Sequence, residues 1–334
     1  MLKIKISRNS SYPLERQLPN REKVLGECAF YFTPHDSVER EYDFWFILDN
    51  LIEAETTICP PENIVYLTME PLAFRKTKKD ERAFLKQFST VIDFQQRYSE
   101  IPSIESWLPL QWHIGWSHGG VQTGADFCRD YDFFKRRSII SKERQLSVVT
   151  SGPRHYKGHR DRYTFVMEYL KPHFGDSIEI FGRGIRDFHD KVEVIEPFKY
   201  HLALENGSEK NYFTEKLTDS FLGLAYPIYF GAPNIYDFFS PDMLTVIDIN
   251  KPKEAIAIIE QILDQDFYEK RLPFLCEARD LVLDKYNLFS FIENFCVDYL
   301  QRNPHFSASV PVTLHPKKQM QGWRRWMNTM MRGL

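Results

Sequence analysis

No stretch of these 334 residues comes near the roughly 18 consecutive apolar positions that a membrane-crossing helix needs. The opening MLKIKISRNSSYPL alternates apolar with basic or polar residues like a first strand, without the unbroken apolar run of a secretory leader. Cysteine is scarce and scattered: Cys28, Cys59, Cys128, Cys276 and Cys296 are odd in number and include no Cys-x-x-Cys pair, which argues against a zinc or dithiol site and for free thiols in a reducing compartment. A cytoplasmic location is the expectation. An excess of one charge is also missing, because 43 Lys and Arg face 46 Asp and Glu for a net charge of -3, so nucleic acid is not an expected partner and no acidic tail is present. There is no internal repeat and no low-complexity tract. What is plentiful is aromatic side chain, 15% of the residues, which suits either core packing or stacking on bases and sugar rings and does not choose between them.

The length allows two domains of ordinary size. Up to about residue 140, short apolar runs (Ile4–Ile6, Phe44–Leu48, Ile64–Thr68, Thr90–Phe94) alternate with helix-capable stretches such as Lys78–Gln87, the order of an α/β layer. Gly119, Gly120 and Gly124, followed by a charged stretch, suggest a crossing between domains there. A second series follows: strand Leu146–Thr150, helix Arg160–Leu170, strands Ile178–Phe181 and Tyr200–Leu204, helix Glu215–Leu224, and strands Pro227–Phe230 and Leu244–Ile249. Helices between Lys253 and Arg302 would finish it and lean back toward the first domain. The expected division is 1–140, 141–305, and a basic amphipathic tail at 306–334. As a helix, that tail would line Trp323, Trp326, Met327 and Met330 along one side, fitting peripheral contact with a membrane surface, docking on a partner, or a tail that packs on itself.

The chemistry concentrates in residues 200–233, which read as strand, loop, helix and strand. Thr214 is suited to cap a helix whose apolar face is Leu217, Phe221, Leu222 and Leu224, leaving Glu215 and Lys216 in the first turn. A helix start at the carboxyl edge of a parallel sheet presents free amides and a positive dipole end to an anion. Lys216 would add a full charge, and Glu215 an acceptor for ribose or sugar hydroxyls. On these features alone, a solvated Glu–Lys pair on an ordinary helix start is the favoured reading.

The ordered pattern Leu204-Glu205-Asn206, Tyr212-Phe213-Thr214-Glu215-Lys216-Leu217 and Pro227-Ile228-Tyr229-Phe230-Gly231-Ala232-Pro233 resembles the donor-binding domain of glycosyltransferase family 10, the α1,3/4-fucosyltransferases. Leu204 stands where the family usually has Phe. Upstream, VTSGPRHYKGHRDRYTFVMEYL resembles the family's arginine-bearing helix, with Arg162 the best match for the arginine that reaches the donor diphosphate and Arg154 and Arg160 as competitors. NIVYLTMEPLAF resembles the strand that ends in the family's proposed general base, which places Glu70 there, held extended by Pro71. WLPLQWHIGW resembles the end of the acceptor domain, where Trp112 and Trp116 could face a sugar or pack between domains.

The resemblance implies an α/β, GT-B-like fold of two Rossmann-like domains facing across a cleft, and inverting transfer of L-fucose from GDP-fucose to a hydroxyl of an oligosaccharide or lipid-linked glycan, of GlcNAc type and α1,3-linked. Glu70 would be the base; Arg162, Asn206, Tyr212, Thr214, Glu215 and Lys216 would bind the donor, with no obligatory metal. The tail would meet the inner membrane face. Asp130-Tyr131-Asp132 fits the D-x-D motif of metal-dependent transferases but lacks the apolar strand such motifs follow. The alternatives are a different nucleotide sugar on the same fold, or a nucleotide- or glycan-binding module without catalysis.

Overall fold

The segment Phe44–Leu48 is Phe-Trp-Phe-Ile-Leu and buried at all five positions, the mark of a central strand covered on both faces of a parallel sheet. In the computed structural model, which describes residues 1–33, 41–69, 78–116, 129–139, 141–152, 156–263, 267–305 and 307–319, this strand is the centre of a seven-stranded sheet. The elements are β1 (Leu2–Arg8), β2 (Val24–Leu25), β3 (Cys28–Phe32), β4 (Phe44–Leu48), β5 (Glu55–Cys59), β6 (Ile64–Leu67), helix α1 (Lys78–Leu85), β7 (Thr90–Asp93) and β8 (Ser103–Glu105). The order is β2-β3-β1-β4-β6-β7-β8, and every pairing except β2 with β3 is parallel. Sequence patterning missed the two-residue β2 and also β3, β5 and β8. The last carries an exposed Ile104, and β5 lies outside this sheet, so neither has the apolar run that betrays a core strand.

The second series begins with α2 (Tyr131–Arg136), β9 (Arg144–Val149) and α3 (Lys157–Thr164). The last runs on through a π-helical stretch, Phe165–Leu170, into α4 (Lys171–Phe174). Then come β10 (Ile178–Phe181), α5 (Val192–Ile195), β11 (Phe198–Leu204), α6 (Glu215–Leu222), β12 (Tyr226–Phe230), β13 (Thr245–Val246), α7 (Pro252–Leu263) and α8 (Phe267–Asp284). Five strands pair in parallel as β10-β9-β11-β12-β13. The expected strand at 244–249 shrinks to two paired residues. Lastly, α9 (Leu288–Arg302) sets Phe289 against Phe30 and Phe295 against Phe44 and Phe46, and β14 (Val310–Leu314) pairs antiparallel with β5.

The chain forms two compact units, one of Met1–Glu15, Glu22–Leu108 and Phe289–Leu334, the other of Arg16–Arg21 and Pro109–Leu288. The divisions fall at 108/109 and 288/289, where the sequence suggested 140/141 and 305/306. Hydrogen bonding explains the first difference. The buried Arg16 guanidinium donates to the main-chain oxygens of Trp112, Ile114 and Arg129, tying the 109–116 stretch into the second unit. Aromatic packing of Phe289 and Phe295 explains the second. Both main sheets are α/β and, apart from β2 with β3, parallel; the alternation of strands and helices led us to expect an α/β layer in the first series and a parallel sheet in the second.

Candidate functional site

Strand β11 ends at Leu204, and the next residue, Glu205, is fully buried while its amide still bonds to the Phe230 carbonyl of β12. A carboxylate with no access to water needs donors close by. Thr214 supplies them: its amide reaches Glu205 Oε1 at 2.7 Å, and its hydroxyl lies 2.9 and 2.8 Å from the two carboxylate oxygens. The same hydroxyl accepts from the Lys216 amide at 3.3 Å, which makes Thr214 the N-cap of α6 as the sequence indicated. Glu205 therefore anchors the helix start to the carboxyl edge of the sheet.

The connecting loop is closed from its other side. Asn211, at φ 64°, exchanges amide hydrogen bonds with Asn234 after β12, and the Tyr229 hydroxyl accepts from the Ala232 amide. Two glycines allow close approach here: a Cβ on Gly158 would lie 1.7 Å from the Asn206 carbonyl oxygen of the main chain, and one on Gly231 would lie 2.1 Å from the Tyr229 hydroxyl and 2.6 Å from Glu205 Cγ, both side-chain atoms. The start of α3 thus packs against the main chain that carries Asn206.

Charges of both signs meet at the helix start. Lys216 Nζ lies 3.0 Å from Glu215 Oε1, 3.1 Å from Thr214 Oγ1 and 3.6 Å from Glu205 Oε2, with its side chain still 22% exposed. Lys191, ahead of α5, bonds to the fully buried Asp219 at 2.8 Å and stands 3.7 Å from Glu215. His113 Nδ1 is 4.0 Å from Glu215, and its amide donates to Asp219 at 3.0 Å. Burial pushes the Glu205 carboxyl above its ordinary value, and Lys216 only partly offsets this. Burial acts upward on Glu215 too, but Lys216, Lys191 and His113 hold it well below the usual carboxylate range. Burial would lower Lys216, yet Glu215 and Glu205 keep it above an ordinary lysine. Lys216 is a permanent cation at neutral pH.

Arg162 of α3 points inward and is buried, donating to the Leu204 carbonyl at 2.9 Å, while Arg160 is exposed and Arg154 lies outside the described residues. Burial lowers the Arg162 pKa against the fields of Glu205 and Glu215. Among the described residues, several buried polar atoms near the carboxyl ends of these strands have no hydrogen-bond partner: Thr150 Oγ1 after β9, Arg162 Nε, and Asn206 Oδ1 and Glu209 Oε2 after β11. Buried polar atoms are costly unless something satisfies them, and four near one sheet edge mark it as a place for a polar ligand.

The structure thus gathers Asn206, Tyr212, Thr214, Glu215 and Lys216 in one strand–loop–helix unit, with Arg162 of α3 bonded to the end of its strand. Glu70 lies outside the described residues, as do residues 320–334 of the tail. Trp112 is a correction: it is fully buried, edge-on to Phe134 with ring centres 6.2 Å apart, so its ring has no face for a sugar, and core packing claims it. Trp116 is half-buried. Asp130 and Asp132 are occupied otherwise than as metal ligands, Asp130 capping α2 and pairing with Arg21, and Asp132 bonding to the Asn20 amide and Arg136. The sequence reading passed over Glu205, Lys191, Asp219 and His113 as parts of the charge lattice. Asp219, one turn after Glu215, was the only one whose spacing announced it.

An open cavity of about 580 Å³ lined by Arg129, Phe133, Arg137 and Glu196 is a separate feature. Its residues precede β9 and β11, at the amino side of the sheet, and Arg129 and Arg137 both pair with Glu196.

Residues 140–272 match the model of the glycosyltransferase family 10 (fucosyltransferase) C-terminal domain. The chain is 32% identical over 102 residues to GDP-fucose protein O-fucosyltransferase 3 of Danio rerio, covering 30% of this chain and 21% of that protein. It is 32% identical over 74 residues to an α-(1,3)-fucosyltransferase of Helicobacter pylori, covering 22% and 16%. The matched stretches therefore span about a fifth of these relatives' length. A crystal structure of an α1,3-fucosyltransferase with GDP-fucose aligns over 81% of each chain at 16% identity and a TM-score of 0.44.

Proposed function

We propose, for a chain whose residues 140–272 match the model of the glycosyltransferase family 10 C-terminal domain, that it is an inverting fucosyltransferase of GT-B arrangement using GDP-fucose. The observation that carries the reading is the start of α6, where capped amides, the helix dipole and the Lys216 ammonium converge beside Arg162. Backbone amides and Lys216 would hold the diphosphate, and Glu215, fixed by two lysines, would accept ribose or sugar hydroxyls. Departure of GDP places new negative charge on the diphosphate, and each charge-assisted contact there contributes on the order of 2 to 4 kcal/mol to the transition state. Glu70 would take the proton from the acceptor hydroxyl as it attacks the anomeric carbon. The work takes place in the cytoplasm, with the tail at the inner membrane face.

The acceptor is a glycan hydroxyl, with a GlcNAc-type sugar and α1,3 linkage as the first choice. A protein hydroxyl is the second reading, favoured by the likeness to the Danio rerio protein. The test is a transfer assay with chelator present, offering GDP-fucose, GDP-mannose and UDP-glucose against GlcNAc-containing oligosaccharides and a denatured protein mixture. Fucose incorporated into a glycan supports the proposal. Incorporation only into protein would shift it to the second reading, and turnover only with another donor would sink the fucose assignment.

A further inference from the structure

We propose that binding of a nucleoside-diphosphate sugar at the start of α6 draws one proton from solvent onto Glu205, which makes Glu205 a positioning residue for the donor. This rests on the reading above that the ligand is a GDP-sugar.

Charge balance motivates it. Among the described residues around the helix start, the carboxyl groups of Glu205, Glu215 and Asp219 face the basic side chains of Arg162, Lys191 and Lys216, with the His113 imidazole 4.0 Å from Glu215. Among these six acidic and basic groups the formal charges balance before any ligand arrives. A diphosphate diester carries two negative charges, and Lys216 can turn toward it only by leaving Glu205 and Glu215. Glu215 keeps Lys191 at 3.7 Å. Glu205, fully buried, then keeps no ammonium among the described residues, only the field of Arg162. An uncompensated buried carboxylate takes a proton.

Geometry shows where the proton goes and what it does. Glu205 Oε1 accepts the Thr214 amide, whereas Oε2 has only the shared Thr214 hydroxyl at 2.8 Å and Lys216 at 3.6 Å. That hydroxyl has one hydrogen for two carboxylate oxygens. A proton on Oε2 reverses the bond, so that Glu205 donates to Thr214 Oγ1 and the threonine hydrogen becomes available to a phosphate oxygen. Lys216, which donates to Thr214 Oγ1 at 3.1 Å, has by then turned away, so the oxygen has room for the Glu205 donor, and Oε1 keeps the Thr214 amide. The groups facing Glu205 are Thr214, Glu215 and Lys216 from α6 and its cap, Arg162 from α3, and Tyr229 from β12; Arg162 and Lys216 oppose protonation, and Glu215 favours it. Burial already holds the Glu205 carboxyl above its ordinary value before Lys216 departs.

The experiment is isothermal titration of the full chain with GDP-fucose, whose diphosphate diester does not itself titrate near neutrality, in PIPES and in Tris at the same neutral pH. We expect the wild-type enthalpy to differ between buffers by an amount equal to uptake of up to about one proton, and the affinity to weaken by up to tenfold for each unit of rising pH. Glu205→Gln, which keeps a donor toward Thr214, should bind with equal heats in both buffers, while His113→Asn should keep the buffer dependence. Buffer-independent heat from the wild type overturns the inference and leaves the donor reading intact, as does a dependence that vanishes with His113→Asn and survives Glu205→Gln. Absence of any heat with GDP-fucose overturns the donor reading and this inference together. Should Glu205→Gln fail to fold, the wild-type series read beside His113→Asn decides: a dependence that survives His113→Asn keeps the inference, and one that vanishes with it overturns it.

Discussion

Both carboxylate oxygens of Glu205 close on the single hydroxyl of Thr214, at 2.9 and 2.8 Å, and the Thr214 amide completes the grip at 2.7 Å. This one contact joins a strand end, a loop end and a helix start. Removing the hydroxyl should therefore cost more than an ordinary cap. Thr214→Val is expected to lose about 1 kcal/mol for the cap and about 1 to 3 kcal/mol more for the poorly satisfied buried carboxylate. Urea unfolding measures the sum, and a loss under about 0.5 kcal/mol would show that the grip is not a source of stability.

Lys191 is the sole ammonium shown bonding to the buried Asp219 among the described residues. Lys191→Met should destabilise by roughly 3 to 5 kcal/mol, since it strands a buried carboxylate, and adding Asp219→Asn should recover a large part of that loss. Equal destabilisation by the single and double variants, read by chemical denaturation, would contradict the pairing.

Gly158 lies against the Asn206 main chain with no room for a methyl group. Gly158→Ala must move either α3 or the loop after β11, at a cost of about 1 to 3 kcal/mol, and should weaken nucleotide binding along with stability. Thermal shift with and without GDP separates the two effects: a variant with wild-type midpoints in both conditions would show that the close approach carries no weight.

His201 is fully buried, and the network assigns its Nδ1 hydrogen to Ser147 Oγ, because Ser147 donates onward to the Val194 carbonyl. Burial, with Lys191 and Lys142 nearby, lowers its pKa to about 3. The folded value lies below the unfolded one, so the unfolded chain binds a proton that the folded chain refuses between the ordinary histidine pKa and pH ~3. Stability should fall with decreasing pH in that window, by up to about 1.4 kcal/mol per pH unit from this residue, and be unaffected by it above. His201→Gln should show a shallower acid slope in urea midpoints than the wild type; parallel slopes would mean that His201 is protonated in the fold.

Much of this site was legible in the sequence because motif and local physics coincide. Thr214 before an apolar-faced helix reads as a cap, and Glu215 and Lys216 then fall in the first turn by position alone. The strand Phe44–Leu48 announces itself by being apolar throughout, and Tyr200–Leu204 is apolar but for His201. Glu205 did not, since nothing local reveals that a carboxylate after a strand will turn inward to meet a hydroxyl nine residues on. Lys191 and His113 come from segments remote in sequence, and only the fold brings them to Glu215. Trp112 misled because an aromatic in a polar-flanked stretch is equally suited to a sugar face and to a core, and tertiary packing decides. The unit divisions were displaced for the same reason: Arg16 reaches main-chain carbonyls about a hundred residues away.

The central claim is that the start of α6 binds the diphosphate of a nucleotide sugar through Lys216 and the helix amides. Isothermal titration of GDP into metal-free wild type and Lys216→Ala tests it directly. We predict micromolar affinity for the wild type and a loss of at least about tenfold, roughly 1.4 kcal/mol, in the variant. GDP binding that Lys216→Ala leaves unchanged, or no GDP binding by the wild type, would contradict it.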